Sequence, residues 1–461
     1  MHWLSDLFAN FERHPARTFV AVGLLFVLAY MAAHVWFPKP PGRVIDGDAL
    51  GYYAWLRSVA FDGDINFSND YRLLDAGFAE DSEELTPLAT GLVPNKWPPG
   101  SAILWAPLFL AVGTVVTLLN LLGAQIPFDG LSLPFKISAG VAGIAYAAAG
   151  AWLCYDLARR VYPAASAFWA TITLWLGGSL LYYSLVSPTY SHATSLFAVA
   201  LFTHTWYRTR DRGNLGRFAL LGGLAGLAGL VRSQDLIILI IPGLELLHGI
   251  RERRWSLAAA SGRLSVLCVA CVATFAPQLW VWQTIYGTLL LNPHTPGGSS
   301  GYFLWTQPAI LETLFSTRQG LIAWSPIVLF AASGIAWLFR HDRLLAWATA
   351  VTLLIALYVN AAAIPWWAGA SFGGRRFISY LPFLVLGLSA FLASPAMASR
   401  PALVRVASVA LIGSNVLFLL QYQLFMRGFT DIVAEYPDGF WGVFVERFVV
   451  PLRLVAAWMT S

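Results

Sequence analysis

Charge is scarce in this chain. Only 11% of its 461 residues are Asp, Glu, Lys or Arg, where a soluble domain carries about a quarter. That excludes an ordinary soluble globular protein. Cysteine is scarce too. Three residues, Cys154, Cys268 and Cys271, are too few for a disulfide framework. Cys268 and Cys271 have C-x-x-C spacing, but "RLSVLCVACVATFAP" offers no second pair and no nearby His. They read as small apolar packing residues. No internal repeat, low-complexity tract or soluble domain is visible.

What the chain has instead is apolar length. It is 58% hydrophobic, and runs of about 20 apolar residues, enough to span a bilayer, recur throughout. The chain reads as an all-α polytopic membrane protein. The first run, 18–36, is too long for the apolar core of a signal peptide. It is followed by "FPKPPGR" and no small-residue cleavage site, so it reads as a retained helix.

The net charge is +5, and its placement matters more than its sum. Basic clusters lie at Arg159–Arg160, 207–217, 251–263, 340–343 and 399–405. Short positive loops mark the cytoplasmic side. Spans near 18–36, 137–157, 164–186, 193–207, 218–231, 235–249, 264–283, 321–339, 344–364, 377–393 and 405–425 put every cluster on one side, with the N-terminus. The predicted count is about eleven transmembrane helices. The clusters are too brief and scattered for nucleic-acid binding.

The opposite face then receives the acidic stretch 37–135, the loop 284–320, "PWWAGASFGGRRF" (365–377) and the tail after Met426. Segment 101–122 is apolar enough to enter the membrane. A full crossing there would put Arg159–Arg160 outside, so it is expected to be a juxtamembrane or re-entrant helix. The membrane domain is expected over 1–425, with 37–135 as its outer catalytic loop and 426–461 as a short outer tail.

Of 24 acidic residues, ten fall between Asp46 and Glu84. "VIDGDALGYYAWLRSVAFDGDIN" (44–66) carries Asp-Gly-Asp at 46–48 and again at 62–64. Between them a short helix is expected, with Tyr52, Tyr53, Leu56, Val59 and Ala60 on one face and Asp48 at its N-cap. Three readings compete. The carboxylates could be a cap and a turn. They could be a metal–diphosphate motif, which fails because nucleotide sugars are cytoplasmic and this loop is not. Or they could supply a catalytic base or a cation site on the outer face.

At this point the sequence resembles the C-type-fold membrane glycosyltransferases, among them the protein O-mannosyltransferases and the aminoarabinose transferase that modifies lipid A. In that family the first outer loop carries a catalytic acidic residue, then a Tyr, a helix and Gly-Asp. Asp48, Tyr52 and Gly63–Asp64 fall at those spacings. The family's "KPP" followed by an apolar helix is matched by "NKWPPGSAILWAP" (95–107), with Lys96 and an inserted Trp97. A later basic residue in a Gly-rich helical hairpin is matched by Arg232 in "GGLAGLAGLVRSQDLIILIIP". The resemblance implies a multi-pass protein of the bacterial inner membrane with its N-terminus in the cytoplasm. One departure matters. Metal-dependent relatives carry acidic residues in the second outer loop. Here that loop is "SLVSPTYSHATS" (184–195), with His192 as its only candidate ligand. That argues against an obligatory divalent cation, and no metal residues are assigned. His192 reads equally well as a polar residue at a helix start or as a substrate contact.

The chemistry has its own logic. At the outer face a sugar must arrive preactivated, and a polyprenyl-phosphate sugar is the membrane-soluble form. Transfer, hexosyl or pentosyl and expected to be inverting, needs a base for the acceptor hydroxyl. Asp48 is the first candidate and Asp46 the second. The leaving lipid phosphate needs cations. Lys96, Arg232, Arg375 and Arg376 all fall at that face, and Arg232 lies between two apolar half-length helices, where a charge is costly. Trp366 and Trp367 could stack on sugar or sit in an interfacial belt. Asp64 shapes its turn, with a weaker case for substrate contact. Arg318, Gln319 and Trp324 could bind acceptor or simply anchor their loop. The acceptor could be glycan, lipid or protein. The runner-up is a transporter or flippase of a lipid-linked or anionic substrate. It would carry its ionisable groups near the midplane and show inverted repeats. A non-catalytic scaffold would not need carboxylates and cations converging on one side.

Overall fold

The computed structural model describes residues 2–36, 44–74, 85–291, 302–369, 371–426 and 441–460. Among them there is no β-strand, only an isolated bridge between Phe303 and Ala363. Five of the ten clustered carboxylates, Asp75, Glu80, Asp81, Glu83 and Glu84, lie outside the described residues, as do 292–301 of the 284–320 loop and 427–440 of the expected tail.

Helices follow one another as the apolar runs dictate. They are α1 (His2–Arg13), α2 (Pro15–Trp36), α3 (Ala49–Arg57), α4 (Ser68–Leu74), α5 (Gly100–Leu121), α6 (Leu133–Ala158), α7 (Ala164–Leu176), α8 (Leu180–Leu185), α9 (His192–Thr209), α10 (Leu215–Val231), α11 (Ile240–Arg251) and α12 (Leu257–Tyr286). The second half adds α13 (Ile310–Phe315), α14 (Leu321–Trp324), α15 (Ile327–His341), α16 (Arg343–Ala362), α17 (Leu381–Leu392), α18 (Pro395–Ala398), α19 (Pro401–Gln421) and α20 (Val450–Thr460). Eight helical segments among the described residues are long and apolar enough to cross a membrane, and α7, α10 and α15 are shorter apolar helices. Eight qualifying segments do not establish the expected count of eleven, and the expected span 321–339 is interrupted between Trp324 and Ile327. The expected span 164–186 is broken, because the chain leaves α7 at Gly177 and resumes at Leu180.

Helix α5 is where the number of crossings is decided. Its 22 residues qualify it as a span by length and composition, against the expectation of a juxtamembrane helix. Its register is that of a partial companion to α6. The Tyr146 hydroxyl donates to the Leu104 carbonyl (2.9 Å), and Gly113 packs on Phe135. The last turns of α5 therefore extend past the start of α6.

The chain divides into two compact units. The first comprises Met1–Phe19, Ala151–Tyr182 and Gly301–Ser461, the second Val20–Gly150 and Tyr183–Ser300. In the first, Glu12 of α1 accepts hydrogen bonds from Arg405 (2.8 Å) and Trp169 (2.6 Å), tying α1 to α19 and α7. Its helices α15 and α17 approach through small residues, and a Cβ on Gly334 would lie against the Gly387 carbonyl. In the second, Gly222 and Gly226 of α10 sit against the Leu267 and Cys271 carbonyls of α12 in the same way. Cys271 is buried there, and Cys268 is exposed. Arg217, from the 207–217 basic cluster, is buried with Glu245 at 2.7 Å. Glu245 also accepts from the Trp206 indole (2.7 Å). A buried charge of this kind persists only when paired.

Candidate functional site

In the second unit, α3 is buried along its whole length. A five-residue π-helical turn (Ser58–Asp62) follows and rotates the later residues off the helix's register. Val59 and Ala60, expected on the apolar face with Tyr52 and Tyr53, are therefore exposed. Arg57 is the hub of what comes next. Its guanidinium donates to Asp62 (2.6 Å) and to Asp70 (2.8 Å). Asp64 accepts from the Ser58 hydroxyl (2.9 Å) and the Asn66 backbone (3.0 Å), closing the second Asp-Gly-Asp turn. Three of the five described carboxylates thus brace the loop.

Burial pushes the Asp70 carboxyl up to about 6, while Arg57 pulls the other way. A raised carboxyl favours the folded state when protonated. Its cost is absent below about pH 4, grows between the unfolded and folded values, and is complete above pH 6. Wild-type stability is therefore expected to fall by about 2–3 kcal/mol across that window through this one group. Asp70→Asn should flatten that part of the melting-temperature profile. An unchanged slope would remove Asp70 as its source.

The first Asp-Gly-Asp turn leads into α3. Its Gly47 has φ +54°, and a Cβ there would collide with the Tyr190 hydroxyl. Asp48 occupies the N-cap position, but its backbone is helical and its side chain makes no capping bond. The turn is closed by backbone bonds, Ala49 N–H to Asp46 and Leu50 N–H to Gly47. The expectation of a capping Asp48 is corrected accordingly, because a main-chain turn already satisfies the first donors. Asp46 and Asp48 are both half-buried.

The "NKWPP" segment is fastened onto α3. Asn95 donates to the Gly51 carbonyl (3.0 Å), and the Trp55 indole donates to the Trp97 carbonyl (2.9 Å). The Trp97 ring occupies the space a Cβ on Gly51 would need, with Tyr52 edge-on at 6.5 Å. The Lys96 ammonium lies 4.8 Å from the Trp97 ring centre. Lys96 is thereby held beside the helix that Asp48 begins.

Arg232 stands where the helix breaks. Its backbone is extended, between α10 and a 3-10 segment (Ser233–Leu239). The guanidinium contacts His192 Nδ1 at 3.0 Å and donates to Gln234 at 3.2 Å. Among the described residues its buried Nε has no partner. A guanidinium has no acceptor, so Arg232 is the donor in this contact and His192 Nδ1 the acceptor. Ser191 donates to the Tyr52 hydroxyl (2.8 Å), joining this cluster to α3. His192 is buried, with the Tyr183 ring 4.4 Å away. Asp235, fully buried, accepts from Ser195 and so ties the segment after the break to α9.

The first unit has its own cleft, lined by Thr313, Gln319, Asn360, Trp366, Trp367 and residues 373–377. Arg375 donates to the Ala368 carbonyl, and Arg376 to the Tyr302 hydroxyl (3.2 Å). The Arg318 guanidinium sits 3.9 Å from the Trp367 ring centre.

Of the sequence candidates, Asp46, Asp48, Tyr52, Lys96, His192 and Arg232 belong to adjoining elements of the second unit. Asp64 lies apart from them in the π-turn brace. Trp366, Arg375 and Arg376 share the cleft of the first unit. Sequence reasoning missed Arg57, Ser191, Tyr190 and Asp235. Asp235 had a signal, a carboxylate within an apolar run. Among the described residues no three His, Cys, Asp or Glu side chains gather.

This all-helical architecture, with eight helical segments among the described residues long and apolar enough to cross a membrane, is of the fold class expected from the sequence. A solved structure shares it: ArnT from Cupriavidus metallidurans bound to undecaprenyl phosphate matches 94% of this chain and 74% of its own, at 14% identity and a TM-score of 0.50. No family model and no curated protein sequence matches the chain.

Proposed function

We propose that the protein is a membrane glycosyltransferase of the bacterial inner membrane. It moves a sugar from a polyprenyl-phosphate donor to an acceptor hydroxyl at the periplasmic face. The observation that carries this reading is Arg232. It is a guanidinium at a helix break, oriented by His192 and linked through Ser191 and Tyr52 to the helix that Asp48 begins. A cation at such a break suits an anion that approaches from within the bilayer. The ArnT structure, of the same fold, holds undecaprenyl phosphate.

In the proposed reaction the acceptor oxygen attacks the anomeric carbon and its proton passes to the Asp48 carboxylate. The bond between that carbon and the phosphate oxygen breaks, and polyprenyl phosphate leaves. Attack from the face opposite the leaving group inverts the anomeric centre. Lys96 and Arg232 stabilise the charge that develops on the phosphate. Asp46 is second in rank as base. Trp366, Arg375 and Arg376 keep their expected assignment to substrate binding in this proposal.

The test is turnover. The purified chain in nanodiscs, given polyprenyl-phosphate sugars and cell-envelope acceptors, should release polyprenyl phosphate. Movement of intact donor between leaflets without release would replace this reading with a transporter.

A further inference from the structure

We propose that the apolar groove between the π-helical turn, α5 and the start of α6 is a binding site for one acyl chain of a bilayer phospholipid. The groove lies wholly within the second unit and has a volume of about 420 Å³. That is within the range of ligand pockets, about 300–1,000 Å³, and well above the roughly 150 Å³ in which an apolar cavity takes up a benzene ring. Aromatic rings form its walls. Phe61 packs edge-on against Phe109 (6.2 Å between centres), Phe128 (5.3 Å) and Phe135 (5.5 Å). The arrangement is preformed. The Tyr53 hydroxyl donates to the Gly130 carbonyl (2.6 Å), and a Cβ on Gly130 would meet the Phe61 ring.

The lining decides the chemistry of the occupant. Among the described residues no charged side chain lines the groove. Its hydroxyls, Thr114 and Thr117, donate back to the Leu110 (3.2 Å) and Gly113 (3.0 Å) carbonyls of their own helix. A headgroup or sugar would find no free donor there, while a hydrocarbon chain leaves no polar group unsatisfied. The surrounding surface shows where the chain comes from. Leu110 and Leu118 of the lining are 60% and 56% exposed. Exposed apolar residues on a helix of spanning length and composition face hydrocarbon. Phe109 and Phe135 are buried, so the groove leads inward from that face. A donor's polyprenyl tail suits it less, because α3 stands in between. Tyr52 meets Trp97, Trp105 and Ser191, on the side of Arg232. The next residue, Tyr53, meets Phe109 and Gly130, on the side of the groove.

The inference needs only a membrane location, and its test reads no turnover. The full chain is placed in nanodiscs of phosphatidylcholine that carries a diazirine at the end of one acyl chain. After irradiation the labelled residues are mapped by peptide mass spectrometry. Label is expected on buried Phe109 and Phe135, which a chain outside the groove does not reach, as well as on exposed Val269 and Val272 of α12. A Cβ on Gly113 would sit in ordinary contact with the Phe135 ring (3.4 Å), so Gly113→Leu fills the groove without moving the backbone. It should abolish label on Phe109 and Phe135 and leave Val269 and Val272 labelled. Thr117→Phe fills the groove from the next turn of α5, and it carries the test if Gly113→Leu fails to fold. A parallel arm uses polyprenyl phosphate with a diazirine on its tail. Label on Phe109 and Phe135 from phosphatidylcholine, removed by a filling variant, supports the site whatever the polyprenyl arm gives. No label there, label that both substitutions leave unchanged, or label from polyprenyl phosphate alone would overturn the proposal.

Discussion

Asp48→Asn is expected to insert and fold normally while losing sugar transfer by about 100-fold or more, the scale of a lost general base. The structure sharpens this expectation. Asp48 makes no capping bond, so the substitution removes no helix cap and its effect on stability should be small. The turn that leads into α3 is held by main-chain bonds and by the close fit of Gly47 against Tyr190. An amide there keeps the shape and loses the basicity. Asp46→Asn is the companion variant, since Asp46 lies in the same turn. Near wild-type turnover in Asp48→Asn with an inactive Asp46→Asn would exchange their roles. Two active variants would remove this turn from the chemistry.

Arg232→Ala is expected to weaken binding of undecaprenyl phosphate by about 100-fold, which corresponds to about 3 kcal/mol for a charge-assisted contact in a water-poor site. The loss is large because the guanidinium is held from three directions. The helix break sets its backbone, and His192 and Gln234 hold its nitrogens. Arg232→Lys keeps the charge but has no planar fork, so it should recover only part of the affinity. Lys96→Ala should also weaken binding, through a cation held on Trp97. If Arg232→Ala folds and binds the lipid as tightly as wild type, the leaving-group clamp lies elsewhere.

Much of the architecture was legible because lipid imposes a strong rule: every spanning backbone group must be satisfied within its own segment. Apolar length therefore maps onto helix, although the expected spans 164–186 and 321–339 are each interrupted. Arg232 stood out as a candidate for a related reason, since a charge between apolar half-helices is costly. Lys96 and Tyr52 were legible as motif order, and their proximity rests on a feature with no pattern of its own, the missing side chain of Gly51 that admits the Trp97 ring.

The rest depended on side chains meeting across the fold. Arg57 looks like an ordinary surface charge within a short helix, yet it carries Asp62 and Asp70. The carboxylate cluster that drew attention to the loop is thus partly a brace for the loop. The π-helical turn has no sequence signature, so Val59 and Ala60 were assigned to the wrong face. Ser191 and Tyr190 acquire meaning only when the 184–195 segment meets α3 and its preceding turn. Gly177 was read through as part of one span, because two glycines in an apolar run look like packing residues until the helix is seen to stop.

The central claim is that this chain cleaves a polyprenyl-phosphate sugar at the periplasmic face. The most direct measurement uses sealed proteoliposomes of known protein orientation, with labelled donor and acceptor supplied only to the surface displaying the 37–99 loop. Wild type should release polyprenyl phosphate and label the acceptor on that surface, and Asp48→Asn should do neither at a comparable rate. Release only when donor is supplied to the opposite surface, or label appearing across the membrane as intact donor, would contradict it.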